Sequence, residues 1–230
     1  MDMVAAIFKR QIKDTCKNKT IFIQFVMFPV LTLIMNKAVK IDGMPDNFFV
    51  NLFATMYVGM APLTSMAAVI AEEKEKNTLR VLRMSNVRPQ EYLLGIGSSI
   101  WLVCMLGAAV ICAAGSYGLW EGLAFMAIMA VGNFASLLLG AAIGIWSKTQ
   151  MMATSITVPV MMVFAFLPML SMFNATIAKI GKITYSVQIG SMLEQIDTLH
   201  LEPDNIGIVA ANVVLFTALF LIAYRKCGLE

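Results

Sequence analysis

The sequence predicts an all-α membrane protein with six transmembrane helices, preceded by an amphipathic N-terminal helix that lies in the membrane interface. Of its 230 residues, 59% are hydrophobic and 13% are charged, whereas a soluble domain carries about 25% charged residues. Six long segments contain no Asp, Glu, Lys, Arg or His. The charged residues are concentrated between these segments, which is the pattern of a chain that crosses a bilayer repeatedly.

The six uncharged segments have about the length of a membrane-spanning helix. A helix that rises ~1.5 Å per residue needs about 20 residues to cross a ~30 Å hydrocarbon core. The first segment is short for this purpose and the third is long. Their continuous apolar character, with no alternation every second residue, excludes a closed β-barrel. The segments are Thr20–Asn36, Phe48–Ala71, Leu93–Gly118, Gly122–Trp146, Met151–Phe173 and Ile206–Tyr224.

Residues 1–19 precede the first span and have the pattern of a helix lying in the interface. An apolar stripe and a basic stripe each repeat every fourth residue, and such a helix directs its lysines towards headgroups and water. A basic tail that only fixes the topology is the alternative. The two stripes are Val4, Phe8 and Ile12, and Lys9, Lys13 and Lys17.

The densest charge cluster lies between the second and third spans, in the loop 72–92. Its residues 72–91, EEKEKNTLRVLRMSNVRPQE, include five basic and four acidic side chains. One charged side chain at the centre of a spanning helix costs about 2.5–3.5 kcal/mol, so this cluster cannot be buried in the bilayer. We expect a solvent-facing loop, and it is the best candidate in the chain for a docking surface.

Two further features concern packing. The segment 174–205 is too apolar for a free loop, so we expect one or two short helices that dip into the outer leaflet or pack on the spans. The fourth span carries a small residue at every fourth position, which lets another helix approach closely. Such a stripe serves either packing within the chain or a subunit interface. Its residues are Gly132, Ser136, Gly140 and Gly144.

The basic residues predict the orientation. Six spans place both termini on one side of the membrane, and that side holds 13 of the 17 Lys and Arg residues. Because loops rich in Lys and Arg stay in the cytoplasm, both termini and the loop 72–92 are predicted to be cytoplasmic. The small net charge of +3 then indicates anchoring at the inner leaflet and gives no indication of nucleic-acid binding.

Several kinds of chemistry are absent from the sequence. Coupled transporters generally need ionisable residues within the membrane, and the six segments contain none. There is no metal-protease or serine-hydrolase motif, no phosphate-binding glycine loop and no Cys/His cluster. The chain is therefore not expected to be an enzyme, and energy for any uphill movement must come from another chain.

The loop 72–92 resembles the first cytoplasmic loop of permeases of the ABC-2 (type-2 ATP-binding-cassette) exporter family. The family pattern runs E-R/K-E-x-G-T-L, then a short apolar stretch, a turn and an apolar run ending in Gly-Lys. This sequence departs from it at Asn77, where Gly is common, at Asn86 and Val87 in the turn, and at Ile96, where Lys is common. The matching residues are Glu73, Lys74, Glu75, Thr78 and Leu79, the apolar Val81 and Leu82, and Tyr92, Leu93, Leu94 and Gly95.

The resemblance extends over residues 1–230 and implies a single transmembrane permease domain that works with separate ATPase subunits. Two such six-span subunits would form the pore, and ATP and Mg would bind to the ATPases, so this chain would bind no cofactor itself. The loop would supply a coupling helix in which Thr78, Leu79, Arg80, Leu82 and Arg83 contact the ATPase. Glu72, Glu73 and Glu75 would hold the gate region or the interfacial helix by salt bridges.

Two other functions remain as alternatives to an exporter subunit in the plasma membrane. A non-transporting membrane scaffold or immunity protein would bind a partner without coupling to an ATPase. A secondary transporter would need intramembrane charge, which the spans lack. The sequence does not specify the substrate, although uncharged spans suit a hydrophobic or amphipathic drug, peptide or lipid-like molecule. It is also compatible with a second copy of the chain or with a related permease as partner.

Overall fold

The computed structural model describes residues 2–39, 45, 47–78, 89–196 and 202–227, and these residues contain helices and no strand. Six of the helices are long and apolar enough to cross a membrane, which confirms the predicted fold class. In chain order the helices are α1 (Asp2–Lys17), α2 (Lys19–Ala38), α3 (Phe48–Glu75), α4 (Pro89–Ala114), α5 (Leu119–Trp146), α6 (Gln150–Phe173), α7 (Ala175–Gly181), α8 (Tyr185–Glu194) and α9 (Pro203–Cys227).

Polar side chains mark the starts of several helices. The first backbone N–H groups of a helix have no partner within it, so a side-chain oxygen nearby stabilises the start. Asn18 accepts from the backbone N–H of Ile21 in α2. The Asn174 side chain accepts from two backbone N–H groups of α7. At the start of α5, the carboxylate of Glu121 in the first turn accepts from the backbone N–H of the preceding Gly118 at 2.7 Å.

Helices α3 and α5 form the centre of the bundle. About 83% of the spanning part of α3 and 78% of that of α5 are buried, compared with 17–33% for the other four spans. Helix α3 packs against α2, α4, α5, α6 and α8. The spans with lower burial leave large apolar side chains on the outside of the bundle, as expected where helices face lipid.

The small residues of α5 lie against α3. A Cβ atom added to Gly140 would lie 2.4 Å from the backbone oxygen of Leu63, and one added to Gly132 would lie 2.9 Å from Val58. A Cβ atom added to Gly144 would lie 2.9 Å from the Cβ atom of Ile70. The Ser136 hydroxyl donates to the backbone oxygen of Val58. The whole stripe therefore serves a contact within this chain.

Helix α3 also makes a close contact with α6. A Cβ atom on Gly59 would lie 2.6 Å from the backbone oxygen of Phe164 in α6. Helix α3 thus packs closely on both α5 and α6, with a glycine at each contact. Any tilt of α3 must move at least one of these neighbours.

The segment between α6 and α9 enters the bundle. Its side chain Tyr185 is fully buried, and its ring centroid lies 5.0 Å from that of Phe164 and 5.5 Å from that of Phe216. These two phenylalanines are near the middle of α6 and α9. The Tyr185 and Ser136 hydroxyl groups are hydrogen-bonded at 2.6 Å. Helix α7 therefore leads into the bundle, and α8 returns along α3, α5, α6 and α9.

Replacing Gly140 with Ala should destabilise the bundle, because the added methyl group requires α3 and α5 to move apart. Overpacking of this kind costs about 1–3 kcal/mol. The matched control is Gly207→Ala in α9, where an added Cβ meets nothing within 4 Å. Thermal unfolding of both variants in detergent should show a lowered midpoint for Gly140→Ala alone. Equal midpoints would contradict the close contact between α3 and α5.

Candidate coupling site at the charged end of the bundle

The last turn of α3 carries charges that contact several other helices. We call the part of the molecule around Glu72–Lys76 the charged end of the bundle. It also includes α1, the last turn of α5 and the first turn of α6. These elements meet at the point where the chain leaves α3 towards the segment predicted to dock an ATPase.

Glu75 and Lys74 connect α3 to the ends of α5 and α6. A carboxylate oxygen of Glu75 accepts from the backbone N–H of Gln150, the first residue of α6, at 2.7 Å. The Lys74 ammonium donates to the backbone oxygen of Ile145, in the last turn of α5, at 2.6 Å. An anion at a helix N-terminus and a cation at a C-terminus both interact favourably with the helix dipole.

Glu73 connects α3 to α1. Its carboxylate lies 3.5 Å from the Arg10 guanidinium and is only 13% exposed. Arg10 also pairs with Asp14, one turn further along α1, at 3.4 Å. The Tyr92 side chain of α4 lies beside Glu73. Since this ion pair is partly shielded from water, removing one partner would leave the other partly buried and unpaired.

Glu72 forms its ion pair within one helix turn and does not thereby connect α3 to another helix. It forms an ion pair with Lys76, four residues later, and this contact raises the pKa of the Lys76 ammonium. Both side chains are accessible to solvent, so the pair contributes little to stability. Of the three glutamates predicted to hold neighbouring elements by salt bridges, Glu73 forms one with α1, Glu75 accepts a backbone hydrogen bond from α6, and Glu72 pairs locally.

Asn77 ends α3 in the left-handed conformation. Its φ is 55°, in the region where Gly, Asn and Asp are the favoured residues. The Thr78 hydroxyl then donates to the backbone oxygen of Glu73 at 3.0 Å, which satisfies a carbonyl that the end of the helix leaves without a partner. The departure from the family pattern at position 77 therefore preserves the backbone geometry that Gly would allow.

Helical structure extends into the predicted loop 72–92 at both ends. Residues 72–75 belong to α3 and residues 89–92 to α4. Of the five residues predicted to contact an ATPase, Thr78 is described and lies directly after the turn at Asn77. The other four lie outside the described residues and are Leu79, Arg80, Leu82 and Arg83.

The sequence did not indicate the partners of Lys74 and Glu75. Both lie in the charge cluster, but the ends of α5 and α6 are about 70 residues away along the chain. The Ser-Lys-Thr turn between α5 and α6, in which Thr149 accepts from the Met152 backbone N–H, was the available signal that a helix starts there. Its proximity to α3 depends on the packing of α3 against α5.

Asn77→Val should destabilise the protein and Asn77→Gly should not. A left-handed conformation costs an ordinary L-residue roughly 1–2 kcal/mol, and a β-branched residue fits it least well. Thermal unfolding midpoints of the two variants test this, with Asn77→Gly as the matched control. A valine variant as stable as the wild type would show that the turn does not depend on this conformation.

The comparisons with known proteins agree with the architecture. Residues 3–224 match the family model described as ABC-2 family transporter protein. No curated protein matches the chain. The match covers nearly the whole chain, including the charged end of the bundle, the first five spanning helices and most of the sixth. The chain therefore belongs to the ABC-2 transporter family and is a multi-pass membrane protein, the membrane permease component of an ABC transporter.

Proposed function

We propose that this chain is the permease subunit of an ATP-driven exporter and that it couples to separate cytoplasmic ATPase subunits through the segment that follows α3. Family membership supports the permease role. The observation that carries the coupling proposal is the set of contacts made by Glu73, Lys74 and Glu75. Three consecutive residues connect the start of the docking segment to α1, α5 and α6.

The orientation follows from the basic residues. The side of the membrane on which the charged end lies holds 13 of the 17 Lys and Arg residues, which supports a cytoplasmic location for that side under the positive-inside rule. The proposed location is the plasma membrane. In this orientation α7 and α8 enter the bundle from the outer side, opposite the docking segment, where they are positioned to gate or bind a substrate.

The contacts at the charged end provide a route for mechanical coupling. An ATPase that moves the residues after Thr78 would displace the end of α3, because the Thr78 hydroxyl donates a hydrogen bond to the backbone oxygen of Glu73. The close packing of α3 on α5 and α6 would make these helices move as packed units. Rocking of rigid units about their interfaces is a common form of conformational switching.

The energy source must lie outside the chain. The six apolar segments contain no Asp, Glu, Lys, Arg or His, so a coupling-ion site in the membrane has no ligands of that type. ATP and Mg bound to the partner ATPases would supply the energy. Six spans form half of the expected pore, which a second copy or a related permease would complete. The proposed substrate class is hydrophobic or amphipathic.

Leu79→Asp should abolish binding of the ATPase while leaving membrane insertion intact. The substitution would place a carboxylate where the docking interface needs an apolar contact. Loss of a central interface contact costs about 2 kcal/mol or more, which is roughly a 30-fold loss of affinity. Co-purification with the ATPase encoded beside this gene measures the effect. Leu79→Met, which keeps the apolar contact, is the matched control. Normal binding and export by Leu79→Asp would contradict the coupling assignment.

The double variant Lys74→Met/Glu75→Gln should separate binding from coupling. It leaves the docking residues intact but weakens the contacts of α3 with the ends of α5 and α6. We expect the ATPase to bind normally and hydrolyse ATP while transport per ATP falls several-fold. Glu72→Gln, which removes the pair with Lys76 and no contact with α5 or α6, is the control. Transport per ATP equal to that of the wild type would overturn the mechanical route.

An absence of ATPase binding even in the wild type would favour a scaffold or immunity role, and transport dissipated by an ionophore would favour a secondary transporter.

A further inference from the structure

A cavity of about 480 Å³ lies at the charged end, between α1, the start of α2 and the last turns of α3. Its inner wall includes Ile21 and Val69, both nearly fully buried. Ile21 is the first residue of the spanning part of α2, and Val69 precedes the charged end of α3 by one turn. The cavity therefore extends across the boundary between the apolar spans and the charged residues, which is the depth of phospholipid headgroups.

The charged side chains around the cavity balance in sign. Three are basic and three are acidic, so the formal net charge of the lining is zero. A simple anion or a simple cation gains little from such a lining, because attraction to one set of charges is offset by repulsion from the other. A ligand that carries separated positive and negative charges can interact favourably with both sets. The six residues are Arg10, Lys17 and Lys76, and Asp14, Glu72 and Glu73.

These charges differ in how accessible they are to a ligand. Glu73 is 13% exposed and is paired with Arg10. Asp14 is 52% exposed and Glu72 is 26% exposed, so both carboxylates can accept hydrogen bonds from an ammonium group. Lys17 is exposed on α1 and can bind a phosphate oxygen. The cavity thus presents carboxylate acceptors beside exposed ammonium groups. Glu72 and Lys76 are paired with each other, so the ammonium and phosphate of a zwitterion would each replace one member of that pair.

We propose that this cavity binds the headgroup of a phosphatidylethanolamine molecule from the leaflet at the charged end. Its phosphate would lie against Lys17 and Lys76, and its primary ammonium would donate to Asp14 and Glu72. The glycerol backbone would lie against the apolar inner wall at Ile21 and Val69, and the acyl chains would extend into the bilayer. The lipid would then bridge α1 and the end of α3, next to the start of the docking segment, and this role requires no ATPase.

The test is lipid binding to the delipidated, full-length protein in detergent, measured by native mass spectrometry with defined phospholipids. Phosphatidylethanolamine should bind at least about fivefold more tightly than phosphatidylglycerol, which is anionic and lacks an ammonium group. It should also bind more tightly than phosphatidylcholine, whose quaternary ammonium has no N–H to donate. A wild-type protein that prefers phosphatidylglycerol, or that does not distinguish the three lipids, would overturn the proposal.

Two variants examine the two halves of the site. Asp14→Asn makes the lining net positive, so the preference should shift from phosphatidylethanolamine towards phosphatidylglycerol, a change that a general loss of structure would not produce. Lys17→Gln should weaken binding of both lipids roughly fivefold, about the effect of one partly exposed charged hydrogen bond. Lys13→Gln, on α1 but outside the cavity lining, is the control. Binding that is unchanged by Asp14→Asn and Lys17→Gln, or equally affected by Lys13→Gln, would overturn the assignment.

A soluble headgroup distinguishes a lipid from a free metabolite as the ligand. Glycerophosphoethanolamine carries the same charges without acyl chains, so it should not displace the lipid at equal concentration. Displacement at equal concentration would show that the apolar side of the cavity contributes nothing and would overturn the lipid assignment.

Discussion

The close packing of α3 is the constraint on which the rest of the structure depends. Gly140 lets the α5 helix approach the backbone of α3, and Gly59 lets α3 approach the backbone of α6. Apolar side chains do not drive helices together in a bilayer as they do in water, so such contacts rely on dispersion forces and short distances. Because α3 packs closely on both neighbours, the ends of α5 and α6 are brought to the end of α3. The contacts of Lys74 and Glu75 follow from that arrangement.

In the proposed coupling mechanism, the charged end combines two roles that usually conflict. Its residues must stay in water, and they must also be ordered enough to transmit a displacement. Glu73, Lys74 and Glu75 contact three different helices, which supports the second role. Two of these contacts are with the backbone at helix ends, where charged side chains are favourable. Loss of a single side chain would therefore weaken a contact without exposing apolar surface.

A second set of contacts joins three elements in the interior of the bundle. Tyr185 lies in the segment between α6 and α9, and its hydroxyl group is hydrogen-bonded to that of Ser136 in the small-residue stripe. Ser136 also donates to the α3 backbone. The stripe is thus the place where α3, α5 and the entering segment meet. In the proposed mechanism, a displacement of α3 at the charged end would move Ser136 and, through the Ser136–Tyr185 hydrogen bond, Tyr185. These contacts would link the proposed docking side to the segment that enters from the opposite side of the membrane.

The sequence by itself determined the number of spans, the helical class and the position of the main charge cluster. These depend on local composition, because a bilayer excludes charge and requires every backbone group to be bonded within its own helix. The sequence also indicated that Gly132, Ser136, Gly140 and Gly144 form a packing surface, but it left open which helix they meet. The tertiary structure decided that this helix is α3. It also decided the partners of Lys74 and Glu75 and the balanced cavity beside α1, since each joins residues that are far apart in the chain and become neighbours only when the helices pack.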